Sequence, residues 1–161
     1  MPRIDRRGAG RYRISLRSNE QLLISELVDE LHDQLSGSTD EPHLRRLFPP
    51  AYANDAERDA GYQVLTRDEL LDRKMAAIDI VRRTLQGGDV DAEELTAWMT
   101  ILNAIRLVLG TLHDIDEDPL DLDPDHPQAF PYAVYEYLGI MLGRIVEALS
   151  DDLPPPASQS N

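Results

Sequence analysis

From residue 18 onward, apolar positions recur at the three- and four-residue spacing of helices that bury one face. Leu22, Leu23, Leu27, Leu31 and Leu35 predict a first helix of about four turns. Ser18 and Gln21, at capping-box spacing, open it, and Ser36-Gly37-Ser38 closes it. Thr66 with Glu69 repeats the device before Leu70, Leu71, Met75, Ile78, Val81 and Leu85, and Gly87-Gly88 ends this second helix. Asp91 with Glu94 opens a third, carrying Leu95, Trp98, Met99, Ile101, Leu102, Ile105, Val108, Leu109 and Leu112. These positions cover more than half the helix circumference, which predicts the central and most buried helix. A last helix is expected from about Pro131 to Ser150, with Val134, Tyr135, Leu138, Met141, Leu142, Ile145 and Leu149 inward.

Two stretches lack that period. Tyr12-Arg13-Ile14-Ser15-Leu16 alternates, so a short strand with Tyr12, Ile14 and Leu16 on its buried side is expected, without an obvious partner strand. Residues 36–66 are irregular, because Pro42, Pro49 and Pro50 forbid long helices, although His43–Leu47 and Ala56–Tyr62 suit a turn or two each. Leu44, Leu47, Phe48, Tyr52 and Tyr62 are too apolar for a solvated linker and predict a packed crossing. The expectation is therefore an all-α, single-domain bundle of four main helices with a short N-terminal strand and minor helical turns. A flexible basic arm is expected over 1–10, the helical domain over 11–150 and a disordered tail over 151–161, where Pro154-Pro155-Pro156 precedes a polar end.

With 161 residues, the chain can bury close to 70% of its unfolded surface, enough for one real core. Charge is unevenly placed. Of a net −14, residues 1–17 carry +5 from six arginines and one acid, leaving −19 on the rest. Arg3, Arg6, Arg7, Arg11 and Arg13 could neutralise nucleic-acid phosphates or meet a protein partner, but the acidic body opposes approach to DNA, so any DNA contact is expected to be weak. The chain has no cysteine, which excludes disulfides, thiolate zinc sites, iron–sulfur ligation and thiol redox chemistry within it. It has no continuous apolar run of membrane-spanning length and no secretory apolar segment after Met1-Pro2-Arg3, so a cytoplasmic location without membrane contact is expected.

Candidate chemistry is sparse. Asp114, Asp116, Glu117, Asp118, Asp121, Asp123 and Asp125 form an acidic run, but His126 and Tyr132 stand where a calcium loop from Asp121 needs Gly and Glu, and Pro119 spoils the register from Asp114. The run reads as a solvated loop, and no metal or other cofactor is expected. His32, His43, His113 and His126 lie in four separate segments without metal-ligand spacing. Gly8-Ala9-Gly10 lacks the third glycine and following helix of a dinucleotide site, and no GxSxG elbow exists, so no catalytic residue is nominated and the chain is read as non-enzymatic. Asn103 and Arg106 share one face of the third helix. The expected role is structural, with Arg106 paired to an acid of the last helix such as Glu136, and Asn103 bonded to a loop carbonyl; a ligand role is the alternative.

Three stretches occur in order along the chain: Leu47-Phe48-Pro49-Pro50-Ala51-Tyr52, then Trp98 through Asn103-Ala104-Ile105-Arg106-Leu107-Val108-Leu109-Gly110-Thr111, then Val134-Tyr135-Glu136-Tyr137-Leu138-Gly139. Together they resemble the actinobacterial domain-of-unknown-function family that includes the oxidative-stress transcriptional regulator AosR. The likeness runs from about Arg11 to Leu149, and Asn103-x-x-Arg106-Leu107-x-Leu109-Gly110 is its most specific part. It implies an intracellular, non-enzymatic regulator of redox-related transcription that contacts RNA polymerase or a sigma factor. Without cysteine, such a member cannot sense through its own thiols. A helical adaptor, acting as a homodimer, is the alternative, and an exposed apolar patch on the last helix would favour it.

Overall fold

The computed structural model describes residues 2–37, 42–44, 46–48, 56–115 and 122–152. Its N-terminus overturns the all-α expectation. Strands β1 (Arg3–Gly8), β2 (Arg11–Ser15) and β3 (Gly88–Asp91) form an antiparallel sheet in the order β1-β2-β3, so the fold is mixed α/β. The residues expected to be a loose arm supply β1 instead. Ile4 lies opposite Ile14 and Arg6 opposite Tyr12, and the Gly8-Ala9-Gly10 turn closes the hairpin with Gly10 at φ +69°. The missing partner of the Tyr12 strand is thus supplied from both sides. Gly87 and Gly88, both at positive φ, let the chain reverse and run beside β2, so close that a Cβ on Gly87 would sit 3.1 Å from the Ile14 carbonyl oxygen.

The helices follow their periodicity closely. Helix α1 is Ser18–Ser36, α2 is Ala56–Thr84, α3 is Ala92–Leu112 and α4 is Ala129–Asp151, with a 3₁₀ turn at Pro42–Leu44. Two starts differ from the expected ones. Ser18 is the first helical residue of α1 rather than its cap, and the Glu20 carboxylate, one residue before the expected Gln21, accepts from the Arg17 amide at 3.0 Å. Helix α2 begins ten residues before Thr66, so the capping-box spacing there marks no boundary. At α3 the box forms as read, with Asp91 accepting from the Glu94 amide at 2.7 Å and Glu94 from the Asp91 amide at 3.1 Å.

Helix α3 is central, as its wide apolar coverage requires. It packs on α1, α2, α4, the 3₁₀ turn and two strands. Trp98, Ile101 and Leu102 are fully buried, and the Trp98 indole N–H donates to Thr84 Oγ1 at 2.7 Å. This is the one helix among the described residues long and apolar enough to cross a bilayer, and half of that stretch is buried inside the fold. Tyr12, Ile14 and Val90 point from the inner face of the sheet into the same core, which Leu44, Leu47 and Phe48 also enter from the middle crossing. Tyr52 and Tyr62, expected in that crossing, lie outside the residues whose side chains are described.

Candidate functional site

The two polar residues singled out on α3 part company. Asn103 is exposed, whereas Arg106 is half-buried and lies flat against α4. Its guanidinium carbon sits 4.0 Å from the centre of the Tyr135 ring, a cation–π geometry, and its Nε faces the Tyr135 carbonyl oxygen at 3.4 Å. Space for this exists because residue 139 is glycine. A Cβ there would lie 3.2 Å from Arg106 Nε and Nη2 and 3.3 Å from Cζ. Arg106 has no carboxylate partner among the described residues, so the expected pair with Glu136 does not form; Glu136 points outward. A planar cation instead uses an aromatic face and a bare stretch of helix backbone. In the sequence, Tyr135 and Gly139 stand out only through the family resemblance. Their four-residue spacing, which stacks them on one face of α4, was the available sign that they work together.

Next to this stack, Tyr135 packs with Tyr132, Ile115 and Leu122, which fixes both ends of the α3–α4 connection. Of the acidic run between them, residues 116–121 lie outside the described ones. Among the described residues no group of three or more His, Cys, Asp or Glu side chains could hold a metal ion. Two of the described histidines have a local side-chain partner: His32 lies 3.7 Å from Asp33, and His126 Nδ1 accepts from the Gln128 amide at 3.0 Å.

The arginines of the hairpin are distributed over both sheet faces. Arg3 lies 3.5 Å from Asp5, and Arg13 pairs with Asp89 at 3.0 Å across the β2–β3 ladder. Arg11 stands opposite Asp91, and Arg7 is exposed. Arg6 turns toward α4, where its Nε donates to Asp152 at 2.6 Å. The second Asp152 oxygen accepts from the Gly10 amide at 3.1 Å and from the Tyr12 hydroxyl. Asp152 had been placed with the tail, yet it clamps the hairpin turn to the end of α4. The Tyr12 donor, with Arg6 and Gly10, holds its carboxyl below the usual range. In return burial, reinforced by the Asp152 contact, pushes the Tyr12 hydroxyl up to about 12. Between β1 and α4 runs an open groove of about 600 Å³ in which Arg3, Arg6, Arg17 and Arg144 alternate with Asp5, Glu147 and Asp151. Arg3, Arg6 and Arg13 thus pair with acids of the chain, whereas Arg7, Arg11 and Arg17 are exposed.

A third polar contact joins α1 to α4. Glu20 is a carboxylate only 7% exposed, and the Tyr137 hydroxyl donates to it at 2.7 Å. Burial would raise this carboxyl, but the Arg17 amide and Tyr137 hydroxyl together hold it below its ordinary value. The same burial and hydrogen bond push the Tyr137 hydroxyl upward.

Comparison with known proteins adds a family. The model of a domain of unknown function, DUF2017, matches residues 1–149. The oxidative stress regulator AosR of Mycobacterium tuberculosis (strain H37Rv) is 27% identical over 91% of the chain and 86% of its own length. The putative oxidative stress regulator AosR of Mycobacterium leprae is 28% identical over 68% of the chain, a match spanning 59% of that relative's length. No solved structure matches.

Proposed function

The chain belongs to the DUF2017 family, and from that premise we propose that it is a non-enzymatic regulator of the oxidative-stress response, acting on transcription through protein contacts in the cytoplasm. One observation carries this reading: the similarity extends over 91% of the chain to relatives named oxidative stress regulator. With no cysteine, the chain offers no thiol of its own for oxidant sensing. The distribution of charge adds the kind of partner. A body at −19 suits a basic protein surface better than a DNA backbone, and Arg6 and Arg13 of the hairpin are already paired with acids of the chain. RNA polymerase or a sigma factor is the proposed partner.

The test is affinity capture of the full chain from native lysate at low and moderate salt, with nuclease treatment. Recovery of polymerase or a sigma factor after nuclease supports the reading, and recovery of unrelated metabolic proteins alone refutes it. Residues 1–17 supply two strands and the buried Tyr12 and Ile14, so DNA contact is tested by substitution of exposed arginines. The double substitution Arg7→Ala and Arg11→Ala leaves the core intact and should lower any salt-sensitive DNA retention. A second reading, a self-associating adaptor, draws on a different observation: Ile140 and Val146 of α4 are 41% and 48% exposed.

A further inference from the structure

Gly143 lies in the interior of α4, where glycine costs about 1 kcal/mol relative to alanine. Nothing within the chain calls for it. Its φ is not positive, and a Cβ there would meet no atom within 4 Å. What glycine permits at such a position is close approach of another backbone from outside. The outward face around it is apolar on both flanks, with Ile140 one turn earlier and Val146 one turn later. Alongside Val146 an open groove of about 520 Å³, lined chiefly by Ala92, Met99 and Leu149, continues the apolar surface toward α3.

The charges on this face choose the occupant. Arg106 rests on Gly139, one turn before Gly143, without a carboxylate partner among the described residues. Glu147, one turn after Gly143, is exposed and has no ion-pair partner among them either. One surface thus carries a cation resting on the residue four places before Gly143 and, four places after it, an anion that borders the arginine groove; neither has a direct ion-pair partner among the described residues. A two-fold axis through Gly143 matches them. In an antiparallel pair of α4 helices, the residue n places before Gly143 is level with the residue n places after it on the other copy. Ile140 then meets Val146, and Glu147 comes level with Gly139 and the guanidinium on it. We infer that this face binds a second copy of the chain, α4 packed antiparallel across Gly143, with Glu147 of each subunit facing Arg106 of the other.

Roughly three turns of helix bury less than the ~800 Å² per partner of a standard interface, so a weak, reversible dimer is expected. Sedimentation velocity on the full chain over a wide concentration range tests it. Reversible dimerisation is expected, and Gly143→Gln, which improves helix propensity while blocking approach, should weaken it at least tenfold without loss of folding. Glu147→Arg should also weaken it, and adding Arg106→Glu should restore it. A chain that stays monomeric to about 0.5 mM, or a dimer indifferent to Gly143→Gln, overturns the proposal. A folded charge-swapped double variant without restored association overturns the antiparallel register, and should Arg106→Glu fail to fold, Gly143→Gln decides alone.

Discussion

Two glycines one turn apart on α4 should respond oppositely to the same substitution. At Gly143 a methyl group enters open space, so Gly143→Ala gains the helix-propensity difference of about 0.8–1 kcal/mol. At Gly139 the same gain is available, but the new Cβ would lie 3.2–3.3 Å from three atoms of the Arg106 guanidinium. The guanidinium must lift, and it is already at 3.4 Å from the Tyr135 carbonyl and 4.0 Å from the ring centre. A half-buried cation–π contact is worth about 0.5–2 kcal/mol, which offsets half or more of the propensity gain and can exceed it. Gly139→Ala is therefore expected to fall between about 0.5 kcal/mol stabilising and about 1 kcal/mol destabilising, in every case about 0.5–2 kcal/mol worse than Gly143→Ala. For a chain of this length, ~1 kcal/mol moves the melting temperature by about 2–4 °C, so the difference is measurable. Urea unfolding followed by the fluorescence of Trp98, the single and fully buried tryptophan, reads it directly, at concentrations low enough to keep the chain monomeric. In an Arg106→Ala background the two alanine substitutions should become equivalent, which isolates the coupling. If Gly139→Ala stabilises as much as Gly143→Ala while Arg106 is present, the account of this stack is wrong.

Tyr137→Phe removes one donor from the buried Glu20 carboxylate and should cost about 1–3 kcal/mol at neutral pH. Because the folded-state carboxyl is held low, its contribution is present at neutral pH and lost as pH falls through the folded value; the variant should therefore show a smaller stability loss on acidification, checked by urea midpoints at several acid pH values. Tyr12, raised to about 12, stabilises the fold below its ordinary value of 10.0 and loses that contribution as pH climbs toward 12. Tyrosinate absorbance should show Tyr12 and Tyr137 ionising above the ordinary value of 10.0, and Tyr12→Phe should reduce the alkaline loss of stability. Asp152→Asn should release the hairpin turn, seen as faster amide hydrogen exchange across Arg6 to Tyr12 with α3 unchanged; equal protection in both proteins would show that the clamp is idle.

What could be read in advance divides along physical lines. The helices were legible because each must bury one stripe, and a stripe of leucines and isoleucines leaves its period in the sequence whatever it packs against. The Asp91–Glu94 box was legible for a similar reason, since both partners lie within four residues. Strand β1 was not, because an edge strand with Ile4 as its one apolar side chain shows no alternation, and its hydrogen bonds are made to another strand. The Gly8-Ala9-Gly10 turn, with Gly10 in the left-handed region, was the one local sign of a hairpin. Strand β3 is four residues long with Val90 as its only apolar side chain, and it forms because β2 is there to receive it. Thr66 misled because a capping-box spacing also occurs inside helices, where a competent donor chain simply continues through it. Asp152 was the most consequential omission. A carboxylate near a proline-rich end resembles many solvated acids, and only the fold brings Arg6, Gly10 and Tyr12 to it across some 140 residues.

Arg106 bears on the proposed association through packing. Arg106, Tyr135 and Gly139 fix how α4 lies against the central helix, and that alignment determines which side of α4 faces outward. The result is a face with Ile140, Gly143 and Val146 exposed and with Arg106 at its margin. A polar signature inside an otherwise apolar helix need not touch a ligand to be functionally specific. Here a cation stacked on an aromatic ring sets the helix register more narrowly than apolar contacts alone would, because the guanidinium fits only where the opposing helix offers an aromatic face beside a glycine. It follows that substitutions at Arg106 should alter association by reorienting α4 as well as by removing charge. Arg106→Lys separates these effects, since lysine keeps the charge but lacks the planar group. A loss of dimerisation in Arg106→Lys comparable to that in Arg106→Ala would assign the role to stacking and alignment, whereas retention would assign it to the ion pair with Glu147 of the second copy.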